Sequence, residues 1–176
     1  WLYLNNRKNL SQAKEYINNS RKIYEESNNK KGIAHCDKAT GYYYWVQGDI
    51  LSALKYEKHV LEFHTQIKDY LFIAMTTANI GWQYIELGEY KKAMDYINDA
   101  RKQCEILQYI SGIAITHNCI GTIYALEGNY NLSIEYYMKS LKLHESLGEK
   151  KWVAVMHNKL GKTYIKKGDY TNSINH

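Results

Sequence analysis

Apolar positions recur along the chain at helical spacing. Ile73, Thr77, Ile80, Gly81 and Tyr84 follow i, i+4, i+7, i+8 and i+11, the stripe of one helix face. Past Gly88, Ala93, Ile97 and Ala100 mark a second stripe, and Ser133, Tyr137 and Ser140 repeat it further on. The pattern predicts helices in pairs. The first helix of each pair covers about residues 31–47, 70–87, 111–127 and 151–167, the second about 10–26, 50–66, 90–106 and 130–146. Gly48, Gly88, Gly128 and Gly168 fall between them, each suited to a left-handed C-terminal stop. Asp49, Glu89, Asn129 and Asp169 follow. Asp and Asn are good N-caps, and Glu89 is a weaker one.

A longer period of 40 residues contains this pattern. Gly41, Gly81, Gly121 and Gly161 keep that spacing, as do Tyr44, Tyr84, Tyr124 and Tyr164. So do Ala34, Ala74, Ala114 and Ala154, and the four stop glycines. The small residues Gly81 and Ala93 are expected where two helix backbones approach closely, with Tyr84 and Tyr90 filling the gaps beside them. A single hairpin cannot bury its own apolar face, but stacked hairpins can. The expectation is one all-α domain over 1–176, a right-handed superhelix of antiparallel helix hairpins. It comprises a partial repeat (1–30), repeats at about 31–70, 71–110 and 111–150, and a partial repeat (151–176). The chain begins at Trp1 rather than methionine and is expected to be a piece of a longer protein.

Composition narrows the function classes. There are 18 tyrosines, two phenylalanines and no proline. The net charge of +5 comes mostly from lysines and forms no dense basic face, so nucleic acid is not an expected partner. No apolar run approaches the roughly 18 residues of a membrane span, so no membrane partner is expected. Cys36, Cys104 and Cys119 have neither an even count nor metal-ligand spacing; they read as free thiols in a reducing, cytoplasmic setting. Gly161-Lys162-Thr163 lacks the earlier glycine of a phosphate loop, since position 156 is Met156. His144-Glu145 lacks the second histidine of a zinc-protease helix. His117 and His157 share a column with Asp37 and read as packing residues rather than ligands. No cofactor, metal or catalytic constellation is expected, and the chain is read as a non-enzyme.

The run Asn79-Ile80-Gly81-Trp82-Gln83-Tyr84, then Gly88-Glu89-Tyr90, then Ala93 resembles the tetratricopeptide repeat family. The standard repeat there has 34 residues and a proline after the second helix; here it has 40 and no proline. This longer form is similar to repeats of bacterial signalling and sensor proteins. The resemblance implies a concave groove lined by the first helices and holding a segment of a partner. By register the groove residues are His35, Lys38, Tyr42 and Trp45, then Met75, Trp82 and Ile85, then Asn118 and Thr122, then Asn158 and Lys162. The N-terminal part of this lining is aromatic and apolar, the C-terminal part polar and basic, which suits a partner with an apolar half and an acidic half. Trp45 and Ile85 have an alternative place in the core between repeats. The implied function is a protein- or peptide-binding scaffold in a bacterial signalling or regulatory protein. The alternatives are a receptor domain for a secreted signalling peptide and a structural module that self-associates through its truncated ends.

Overall fold

The structure is a computed structural model and describes residues 10–174. Among these residues lie nine helices and no strand. They are α1 (Leu10–Glu26), α2 (Lys30–Val46), α3 (Ile50–Gln66), α4 (Tyr70–Glu86), α5 (Tyr90–Ile106), α6 (Ile110–Leu126), α7 (Tyr130–Ser146), α8 (Lys150–Lys167) and α9 (Tyr170–Ile174). Each begins twenty residues after the one before. The boundaries read from the apolar stripes hold to within one residue. The partial repeat before residue 10, with Leu4 and Lys8 in its frame, lies outside the described residues.

Every connector closes on a left-handed residue. Gly48, Gly88, Gly128 and Gly168 have φ of 81°, 76°, 80° and 82°, as their spacing predicts. The connectors from one hairpin to the next make the same turn at Asn28, Lys68, Gln108 and Gly148, with φ of 51°, 56°, 52° and 68°. Three of these are not glycines. Asn29, Asp49, Asp69 and Asn129 then cap the following helix, each accepting the N–H three residues on at 2.9, 3.0, 3.3 and 3.4 Å. Glu89 makes no such bond: its extra methylene carries the carboxylate past the orphan amides. With each chain reversal set by a left-handed residue, no post-helix proline is needed.

Backbone packing divides the chain into two compact units, one ending at Gly88 and one beginning at Glu89. In the first, α2 packs on α1, α3 on α2 and α4 on α3. In the second the same succession runs from α5 to α9. Close approaches occur within each unit in the columns that hold Gly81 and Ala93. A Cβ on Gly41 would lie 3.4 Å from the Ala53 carbonyl oxygen, and one on Gly121 would lie 3.2 Å from that of Ser133. Tyrosines flank these contacts: Tyr44 stacks on Tyr56 and Tyr124 lies against Tyr136, ring centroids 5.7 Å apart in each pair.

The contacts between successive hairpins are of two kinds, and they alternate. At the first, the Tyr24 ring occupies the place of a side chain on Gly32, whose Cβ would fall 2.3 Å from it. At the second, His64 stacks on Phe72 with centroids 4.5 Å apart. At the third, Cys104 faces Gly112, whose Cβ would fall 2.6 Å from the thiol sulfur. At the fourth, His144 stacks on Trp152 at 5.4 Å. Each histidine also meets an acid at the next helix start, His64 Nδ1 at 3.4 Å from Asp69 and His144 Nδ1 at 2.5 Å from Glu149. A large residue on α1 or a thiol on α5 thus faces glycine, and each histidine faces an aromatic ring.

Candidate partner-binding groove

The first unit holds an open groove of about 720 Å³. Helix α2 lines it with His35, Lys38, Tyr42 and Trp45, residues three or four apart and therefore on one face. Helix α4 adds Asn79, Trp82 and Gln83, and α3 supplies Glu57. Ala13, Tyr16 and Ile17 of α1 complete the lining. Both indoles are fixed by a single acid: Trp45 Nε1 and Trp82 Nε1 donate to the two carboxylate oxygens of Glu86, each at 2.8 Å. Tyr42 packs against Trp45 with centroids 5.5 Å apart.

Two polar side chains in this lining are deeply buried. Glu57 is 7% exposed and Gln83 5%. The Asn79 side chain favours the ionised Glu57 carboxyl, yet Glu57 Oε2 and Gln83 Oε1 have no hydrogen-bond partner among the described residues. Burial pushes the Glu57 carboxyl up to about 7, although the charge of Lys38 pulls the other way. Lys38 does not reach it: its Nζ lies 5.2 Å from the centroid of the Phe72 ring.

The structure places the sequence-derived groove residues unevenly. His35, Lys38, Tyr42, Trp45 and Trp82 come together around the one cavity. Met75 is half-buried and outside that lining, and Ile85 is in the core, 5% exposed. In the second unit Asn118 is buried, and its Oδ1 accepts a hydrogen bond from Lys159 Nζ at 2.7 Å. Thr122 Oγ1 accepts from Lys159 Nζ at 2.9 Å and from the Tyr137 hydroxyl at 3.1 Å. Asn158 and Lys162 are exposed on α8. Burial lowers Lys159 to about 8 and raises the Cys119 thiol to about 12, leaving that thiol un-ionised at neutral pH. Of the column holding His117 and His157, Asp37 pairs with Arg21, and His117 lies against Tyr136 with its basicity lowered by burial.

Glu57, Asn79, Gln83 and Glu86 were not among the residues the groove register selects. Their signal lies in the same period of 40. Glu57 shares a column with Ile17, Ile97 and Tyr137, and Gln83 with Tyr43, Ile123 and Thr163. Glu57 is the charged exception in its column, and Gln83 lies in a buried column that also holds the polar Thr163.

The tetratricopeptide repeat family model matches residues 112–176. No curated protein matches the chain. Among solved structures, BtubC (BKLC) from P. vanneervenii is similar over 96% of this chain and 69% of its own, with a TM-score of 0.71 and 16% identity. A signal transduction ATPase with numerous domains and a tetratricopeptide repeat sensor, from Pyrococcus horikoshii, is similar over 93% of this chain, with a TM-score of 0.80 and 20% identity. The chain spans only 25% of that protein's length. The hairpins matched by the family model are those of the second unit, and helices of the same length and spacing build the first.

Proposed function

We propose that this chain is the interaction or sensory segment of a bacterial signalling or regulatory protein, and that it takes a segment of a partner protein into the groove of its first unit. Tetratricopeptide repeats are protein-interaction scaffolds, and an all-helical array of this kind is typically non-catalytic. The observation that carries the reading is a cavity of about 720 Å³ walled by Tyr42, Trp45 and Trp82, with two buried acceptors that have no hydrogen-bond partner among the described residues. Large aromatics around a concave site are the residue types that dominate binding energy at interfaces. The polar groove residues of the second unit are less available, because Asn118 and Thr122 hold Lys159.

The test starts from a peptide library selected on the purified protein. Trp82→Ala is expected to weaken the enriched peptides at least tenfold in a calorimetric titration. Equal affinity for the variant and the parent would overturn the groove reading.

A further inference from the structure

We propose that the groove of the first unit is a socket for one arginine side chain of the partner segment, seated between the Trp45 and Trp82 indoles with its guanidinium donating to Glu57 Oε2 and Gln83 Oε1. The inference rests on the groove reading and adds the chemistry of its anchor.

With the Glu57 carboxyl ionised the two orphaned atoms are both acceptors, and the group that completes them is then a donor. A buried acceptor left unmatched is costly, and completing it rewards the right occupant and penalises the wrong one. Tyr16, Tyr42, Trp45 and Trp82 give the lining four aromatic rings, which favours a flat cation that sheds its water easily and stacks on rings. Glu86 holds both indoles by their N–H edges and adds a second negative charge beside them.

The charges facing Glu57 come from few places. From α2, Lys38 and His35 line the cavity; Lys38 makes no ion pair with Glu57 among the described residues. From α1 the lining residues are Ala13, Tyr16 and Ile17, and from α4 they are Asn79, Trp82 and Gln83, none of them charged at neutral pH. Among the described residues no cation pairs with the carboxylate. The arrangement amends the partner expected from sequence: the aromatic end of the groove favours a basic anchor as well as apolar contact.

The probes are three capped pentapeptides, Ala-Ala-Xaa-Ala-Ala, with arginine, citrulline or leucine at the centre. Citrulline keeps the shape of arginine and loses its charge. Binding to the full chain is followed by the indole N–H resonances of Trp45 and Trp82 in NMR titrations at pH 6 and 8. The arginine peptide is expected to bind at least ten times more tightly than the citrulline peptide at pH 8. That advantage should shrink at pH 6, where the Glu57 carboxyl is protonated, and vanish in Glu57→Gln and in Gln83→Leu. If the arginine and citrulline peptides bind equally, or if Glu57→Gln keeps the preference, the arginine socket is overturned. In that case shifts produced by the leucine peptide leave the groove reading standing. If neither the three peptides nor the library-selected peptides move these resonances, both readings fall.

Discussion

Glu57 in one unit and Lys159 in the other each break a column of the repeat with an ionisable group set into the packing, and the two are treated in opposite ways. Lys159 stands in a column with Ala39, Asn79 and Cys119, and Glu57 in one with Ile17, Ile97 and Tyr137. The lysine is met from within: Asn118 and Thr122 accept its protons, and the Tyr137 ring lies 5.4 Å away. The glutamate has a carboxyl that the Asn79 side chain favours ionised and an Oε2 with no donor among the described residues, beside an open aromatic cavity. A buried charge whose bonds close within the fold serves structure. One whose bonds are left open at a cavity wall marks where something else is to arrive.

The contrast breaks most visibly on removing the lysine. Lys159→Ala leaves Asn118 Oδ1 without its donor, takes one of two donors from Thr122 and strips the packed stem, and should lower the stability of the second unit by about 2–3 kcal/mol. It is read as faster hydrogen exchange in α6–α8. Because Lys159 holds its proton less tightly folded, at about 8, than unfolded, at 10.5, the stability of this unit in the parent should rise as pH climbs between those values. The variant should lose that rise.

Removing the charge of Glu57 should act the other way. Glu57→Gln deletes an uncompensated buried charge and should stabilise the first unit by about 1–2 kcal/mol at pH 8. The parent carboxyl is held near 7 folded against 4.5 unfolded. The folded state therefore binds the extra proton, and stability falls as pH rises through that window. At pH 4.5 the variant and the parent should be close to equal in hydrogen exchange of α2–α4. A loss of stability on this substitution would mean that the glutamate is structural after all, and the contrast with Lys159 would dissolve.

The smallest effect is a control on both halves. Lys68→Gly in the first unit and Gln108→Gly in the second relieve a left-handed side chain and should each stabilise by about 0.5–1 kcal/mol. The gain should appear equally at pH 5 and pH 8 in thermal unfolding, unlike that of Glu57→Gln.

The helices were legible because one stripe was written four times, so an ambiguous copy could borrow from the others. The period of 40 announced four of the eight left-handed turns, at Gly48, Gly88, Gly128 and Gly168. The other four were hidden, because Asn28, Lys68, Gln108 and Gly148 share no residue type that repeats at that spacing. The groove was half legible. Trp45 and Trp82 followed from the register, but a search for columns that agree passes over the residues that disagree, and Glu57 and Gln83 are such residues. Nor does register distinguish an open polar residue from an occupied one: Asn118 sits where a peptide-binding amide would sit, and only the packing shows Lys159 upon it.

The alternation of contacts between hairpins imposes a grammar on how this array can be lengthened or shortened. Tyr24 and Cys104 are followed by glycine, His64 and His144 by an aromatic ring. Excising the single repeat 31–70 would bring Tyr24 up against Phe72, two bulky rings in a space made for one. Excising the double repeat 31–110 would bring it to Gly112, and the joint would close. The length change that keeps every joint of its kind is therefore two repeats, a step of 80 residues.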